Sequence, residues 1–256
     1  MASSLVLTAL DNIPTIGRGD DLAAIILNAA SQQGLMLQQG DIIVLAQKIV
    51  SKAEGRFVRL SDVTPSDKAR DIAIQTHKDP RIVELVLRES VRVVRATPKA
   101  LIVENQHGLI LANAGIDASN VETDKSGEET VLLLPKNPDA SASALRASLL
   151  SQTGLELGIL VNDSLGRPWR LGTVGTAIGV AGMPGMIDMR GRKDRNGRKL
   201  MATELGVADE LAAAASLLMG QAGEGRPVIH IRGFPHALRA GTSRELLRAR
   251  DMDLFQ

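Results

Sequence analysis

The chain has 256 residues, 44% of them hydrophobic, which is enough to fill the core of one large domain or two small ones. A formal charge of +1 gives no global attraction to a polyanion, and Trp169, Phe57, Phe234 and Phe255 are the whole aromatic set, leaving few platforms for stacked bases. Cysteine is absent, which excludes disulfides, thiolate nucleophiles and cysteine-bound zinc; with no basic-then-apolar leader and no apolar run of about 18 residues, a soluble, cytoplasmic protein is expected.

Short apolar runs bounded by Gly, Asp and Asn predict strands, and longer amphipathic stretches predict helices. In chain order these are a strand at 5–10, a helix at 20–31 opened by Asp20 and Asp21, a strand at 42–46, and helices at 66–76 and 80–90. Strands follow at 91–94, 100–103, 109–112 and 131–134, then a helix at 140–151, a strand at 157–161, a helix at 204–219, a strand at 228–231 and a helix at 243–250. The interleaving predicts a mixed α/β (α+β) fold. Pro65-Ser66-Asp67 reads as a second helix start, because hydroxyl and acidic side chains satisfy free N–H groups there. The glycine-rich stretch 172–185 reads as mobile or tightly turning. No internal repeat or low-complexity linker divides residues 1–256.

Familiar phosphate-loop, dinucleotide, zinc-protease and serine-hydrolase motifs are missing, and the histidines are scattered singly. A bound metal would therefore have oxygen ligands, which favours Mg²⁺ or Mn²⁺ over zinc. "NAGIDASN" at 113–120 puts Asp117 and Asn120 at the exit of one strand, and "ILVNDSLGRPWR" at 159–170 puts Asp163 and Ser164 at the exit of another. Ligands of α/β sheets gather at the carboxyl ends of strands. Asp beside a hydroxyl suits a hard cation or an Asx turn equally well, but two acidic strand ends in one chain favour a shared cation. "QKIVSKAEGR" at 47–56 sets Lys48 and Lys52 after a buried strand, as edge charges or as phosphate contacts. "MRGRKDRNGRKL" at 189–200 is a solvated loop or, following the glycines, a flexible basic arm for a phosphorylated ligand. "LLMGQAGEGRP" at 217–227 ends a helix in several small residues, consistent with close backbone approach to a ligand.

Together and in this order, "IPTIGRGDDL", "VSKAEGR", "NAGIDASN", "NDSLGRPWR", "GRKDRNGRKL" and "VADELAAAASLLMGQAGEGRPV" resemble the coenzyme F420 γ-glutamyl ligases, which act on the deazaflavin precursor F420-0. The resemblance implies a single ligase unit of two intimately associated subdomains in an intertwined homodimer, without a C-terminal flavin domain. It implies F420-0, L-glutamate and GTP as substrates, two divalent cations (Mn²⁺ or Mg²⁺) and K⁺ as cofactors, and neither nucleic acid nor membrane as partner. Carried over position by position, Asp117 and Asp163 ligate one cation, and Ser164 and Gln221 hold a second. The nucleotide is expected to touch Asn120, Ile13, Pro14, Thr15, Ile16, Gln47, Lys48 and Lys52. It is also expected at Met219, Gly220, Gln221, Ala222, Gly223, Glu224, Gly225 and Arg226. Arg167 and Arg170, beside Asp163 in sequence, and Arg192, Lys193 and Arg198 in the basic segment are assigned to the coenzyme or its phosphate. No residue is assigned as general base. A metal-dependent phosphatase and a non-catalytic polyanion-binding protein are the competing readings.

Overall fold

The computed structural model describes residues 4–98, 100–117 and 129–253. In chain order its elements are β1 (Val6–Ala9), α1 (Leu22–Gln32), β2 (Ile42–Ala46), α2 (Gln47–Ala53), β3 (Phe57–Arg59), α3 (Asp67–Thr76) and α4 (Pro80–Arg88). Then come β4 (Ser90–Thr97), β5 (Ala100–Asn105), β6 (Ile110–Ala112), β7 (Thr130–Leu132), α5 (Pro138–Thr153), β8 (Gly158–Arg167) and β9 (Arg170–Ala181). The last are β10 (Ile187–Asp188), β11 (Glu204–Leu205), α6 (Val207–Met219) and β12 (Val228–Arg232). The architecture is mixed α/β with several sheets, as the sequence predicts.

The largest sheet has the order β1-β12-β2-β8-β9, in which β2 and β8 are parallel and every other pair is antiparallel. Side chains alternate across it. Ile43, Leu45, Ile159 and Val161 enter a core shared with α1 and α5, while Ile42, Val44 and Leu160 enter a second core built on α6. Both faces of β2 are covered, which is why it reads as an unbroken apolar run. The predicted starts of α1 and α3 are found, with Asp21 accepting from the N–H groups of Ala23 and Ala24 and Ser66 accepting from that of Ala69.

The glycine-rich stretch is for the most part not a turn: residues 172–181 belong to β9, the twelve-residue edge strand of this sheet. Its glycines answer to close packing. A Cβ on Gly175 would lie 2.3 Å from the Ala212 carbonyl oxygen of α6, and one on Gly179 would lie 2.5 Å from the Pro138 carbonyl oxygen of α5. One residue separates the pairs Val161↔Gly179 and Asn162↔Ala177, so a bulge at Ile178 lets the strand meet helices on both faces. The amides beside the bulge are satisfied from the helices, that of Ala177 by Asp209 and that of Val180 by Asp139, at 2.9 and 2.8 Å.

A second group packs α3 and α4 against the antiparallel sheet β4-β5-β6, with β3 and β7 paired beside it. The helix expected at 243–250 is instead a single 3₁₀ turn at Ser243–Leu246, closed by a reciprocal Thr242 and Glu245 capping box and followed by a second 3₁₀ turn at Arg250–Met252. The basic segment is also not a free arm. Backbone bonds from Gly191 N–H to Leu200, Leu200 N–H to Arg192 and Asp194 N–H to Arg198 fold it into an exposed hairpin between β10 and β11.

Candidate active site

The parallel pair β2 and β8 fixes where the site forms. Pairing ends at Ala46↔Asn162, and α2 starts at Gln47 with no intervening loop. Lys48 and Lys52 are four residues apart and so share one face of α2. The chain leaving β1 and the loop between α6 and β12 arrive at the same end, tied there by Leu10 N–H to Val228 O and Ala46 N–H to Pro227 O bonds. A cavity of about 610 Å³ opens between these pieces, lined by Ile13, Pro14, Thr15 and Ile16, by Gln47, Lys48 and Lys52, and by Met219, Gly220, Gln221, Ala222, Gly223, Gly225 and Arg226.

Asp117, Asp163 and Ser164 complete the wall. Asp117 reaches it because Asn113, Ala114 and Gly115 all have positive φ, turning the chain out of β6 so that Asp117 bridges to Leu132 at the end of β7. Its Oδ2 lies 2.6 Å from Lys48 Nζ. Asp163 is not at a strand end, as its sequence context suggests. β8 continues past β2 to Arg167, paired only with β9, and Asp163 is the first residue of that ribbon. Its carboxyl group is pushed up to about 6, chiefly by burial; the Ser164 N–H donated to it at 2.8 Å lowers it, the Asp117 charge raises it further, and Lys48 opposes that. Neighbours in a strand face opposite ways, so Asp163 shares the α2 side with Val161, whereas Ser164 shares the α6 side with Asn162, whose amide donates to Met219 Sδ. Gln221 Nε2 donates to Ser216 Oγ at 3.1 Å, which leaves the amide oxygen as the atom able to take a cation.

Among the described residues no three His, Cys, Asp or Glu side chains cluster. A cation on the α2 side of β8 would draw on the two carboxylates and one on the α6 side on the hydroxyl and the amide, with ligand phosphates and water for the rest. That all-oxygen set, carrying a carboxylate held above its ordinary range chiefly by burial and further by a second carboxylate, fits Mg²⁺ or Mn²⁺.

Other expected residues fall elsewhere. Asn120 lies outside the described residues. Glu224 is not part of the cavity wall and accepts from the Ala222 N–H, bracing the loop, while Arg226 on the wall lies 3.7 Å from Asp11. Arg167 and Arg170 stand at the exposed tip of the ribbon rather than beside Asp163, and Arg192, Lys193 and Arg198 lie on the exposed hairpin, off the cavity wall. Asn162, Thr173 and Ser216 line the cavity without having been singled out. Asn162 adjoins Asp163 and could have been read from that adjacency. Thr173 and Ser216 are brought in by the β8–β9 register and by the packing of α6, which no local pattern encodes.

A mixed α/β protein with paired lysines, paired carboxylates and a glycine-bounded loop around one cavity is chemically equipped for a phosphorylated, cation-bound ligand. Residues 11–233 match the family described as F420-0:γ-glutamyl ligase. A coenzyme F420:L-glutamate ligase of Methanothermobacter thermautotrophicus is 45% identical over 252 residues, covering 98% of both chains. The protein of the same name from Methanococcus maripaludis is 43% identical over 220 residues, 86% of each chain, and that from Halobacterium salinarum is 40% identical over 97% of this chain and 94% of its own. The chain belongs to the F420-0:γ-glutamyl ligase family.

Proposed function

We propose that this protein is a GTP-dependent ligase that joins L-glutamate to coenzyme F420-0 and then extends a γ-linked glutamyl tail, acting as a homodimer with two divalent cations and K⁺. The observation that carries the reading is the meeting of residues 13–16, Lys48, Lys52 and the 219–226 loop with Asp117 and Asp163 on one cavity. The name of a relative that matches the chain nearly end to end, a coenzyme F420:L-glutamate ligase, supports the substrate pair.

A carboxylate does not react with an amine at neutral pH unless it is activated. In this reading an oxygen of the F420-0 carboxylate attacks the γ-phosphorus of GTP, the bond to the β-phosphate oxygen breaks, and GDP leaves. The α-amine of glutamate then attacks the acyl carbon of the acyl phosphate; phosphate departs with the C–O electron pair and the nitrogen loses a proton. The cations, when bound, neutralise phosphate charge and align the transferred group. Asp117 and Asp163 would hold one of them and Ser164 and Gln221 the other, the two pairs standing on opposite sides of β8. Lys48 and Lys52 would bind phosphate oxygens, Lys48 giving up its contact with Asp117 to do so where that carboxylate holds a cation. No side-chain nucleophile is needed, so positioning and charge neutralisation supply the rate.

Incubating the protein with F420-0, GTP, L-glutamate and Mn²⁺ and recording mass spectra tests this. A ladder of glutamyl additions, with GDP and phosphate released in step with amide, is the expected result. Phosphate release that ignores glutamate would identify a metal-dependent phosphatase. Polyanion binding insensitive to Mn²⁺ and to Asp163→Asn, with a steep salt dependence and no turnover, would identify the non-catalytic alternative.

A further inference from the structure

We propose that Asn162, through its Oδ1, supplies a third oxygen ligand to the cation that Ser164 and Gln221 hold on the α6 side of β8; this inference rests on the two-cation reading above. Asn162 is 4% exposed and sits where β2 ends, paired with Ala46 of β2 and Ala177 of β9. Its Nδ2 donates to Met219 Sδ of α6 at 3.4 Å, a weak acceptor, and its Oδ1 is buried with no partner among the described residues. Burying an amide among alanines and a thioether costs stability that one such contact does not return. Leu160, two residues earlier on the same face, is the kind of residue that folding alone selects there. The amide is explained by what enters the cavity, whose wall Asn162 joins.

The neighbours of that oxygen point to its ligand. Ser164 projects from the same face of β8, about 7 Å further along at the rise of a strand. Ser164 pairs with Gly175, and Ser216 of α6 comes so near Gly175 that a Cβ there would lie 2.7 Å from the Ser216 Cβ. Ser216 Oγ in turn accepts from Gln221 Nε2, so the Gln221 amide is brought to the same face as Ser164. The last turn of α6 thus sets Ser216 beside the Ser164 pair and Met219 against Asn162, and a hydroxyl and two amide oxygens border one stretch of the wall. Lys48 and Lys52 belong to α2, which packs on the opposite side of β8. Mg²⁺ takes six oxygens, and Mn²⁺ suits the same kind of ligand; amide carbonyls serve hard cations of this class well, and Ser164 with Gln221 offers only two. The terminal torsion of asparagine is soft, and sulfur is a weak hold, so the amide turns Oδ1 toward the cavity at small cost.

The experiment titrates the full chain with Mn²⁺ in the presence of a GTP analogue whose γ-phosphate cannot be transferred, counting free Mn²⁺ by its electron paramagnetic resonance signal. Wild type should bind two Mn²⁺ per chain. Asn162→Leu keeps the branched outline and removes the polar atoms; it should keep one Mn²⁺ and hold the other at least about tenfold more weakly, since losing a group that merely orients a metal ligand already costs about that much. Asn162→Asp keeps an oxygen in place and should hold both. In chelator, Asn162→Leu should melt no lower than wild type, a result that a purely structural amide would not give. Unchanged Mn²⁺ binding by Asn162→Leu overturns the assignment, as does a lower melting temperature in chelator, which would mark the amide as part of the fold. Asn162→Asp that weakens Mn²⁺ binding as much as Asn162→Leu also overturns it, showing that the amide N–H groups serve a phosphate instead. Wild type that binds a single Mn²⁺ refutes the two-cation reading, and glutamylation by that protein would still leave the ligase reading standing.

Discussion

Replacing Asp163 with asparagine separates what this carboxylate does for the site from what it costs the fold. Folding raises its pKa from the ordinary 3.8 to about 6, chiefly through burial. A carboxylic acid with a raised folded pKa destabilises the native state when ionised: the cost is complete above about pH 6, fades between about 6 and 3.8, and is absent below. Two pH units correspond to an upper bound of about 3 kcal/mol, which screening at the open cavity mouth reduces to roughly 1–2 kcal/mol. The metal-free Asp163→Asn protein should therefore melt roughly 2–6 °C above wild type at pH 8, and this advantage should vanish near pH 4. Added Mn²⁺ should reverse the order, because the amide is a poorer ligand and the variant loses the stabilisation that cation binding confers. Ligation should collapse with it. The assay is differential scanning calorimetry at pH 8 and pH 4, with chelator and with Mn²⁺. A metal-free variant no more stable than wild type at pH 8, or an advantage that persists unchanged at pH 4, would refute the reasoning.

Glu84 accepts from the Ser66 hydroxyl at 2.6 Å, from the Ser66 N–H and from Arg88, and the Ser66 hydroxyl leads in holding its carboxyl down to about 2. That stability is complete above about pH 4.5 and lost as pH falls through about 2, so Glu84→Gln should cost about 1 kcal/mol in denaturant melts at pH 7 and almost nothing at pH 2. Gly175→Ala drives a methyl group against the Ala212 carbonyl and should cost about 1–3 kcal/mol, seen as a lower denaturant midpoint with an unchanged slope. Asp41 is buried, with His230 Nε2 at 2.7 Å and Arg232 at 2.7 and 3.0 Å, at the end of β2 opposite the cavity. Asp41→Asn should cost about 3–5 kcal/mol of stability, with the KM for GTP unchanged in the protein that remains folded; a shifted KM would show that the two ends of the sheet are coupled.

The sequence by itself determined the elements whose signal is local. The apolar runs of β2, β8 and β12 and the caps at Asp21 and Ser66 lie in residues that are neighbours along the chain, and each appears at its expected place. The pieces of the site were legible for the same reason: Lys48 with Lys52, Asp163 with Ser164, and Met219 with Gly220 and Gln221 each lie within one short segment. Tertiary structure decided what those pieces do to one another. β9 was hidden because glycine is a turn signal until α5 and α6 press on both faces of a strand and leave room for no Cβ at Gly175 and Gly179. α2 was hidden because it is seven residues long and follows β2 without a break, and the 243–250 pattern never became an α-helix because a capping box closes it after one 3₁₀ turn. That Asp163 stands within a ribbon, that Asp117 reaches it, and that Arg167 and Arg170 are carried out to the tip all follow from the parallel register of β2 with β8 and the longer pairing of β8 with β9. The β2–β8 register is a contact between residues more than a hundred positions apart, set by which faces must be buried together, and it leaves no mark on either segment alone.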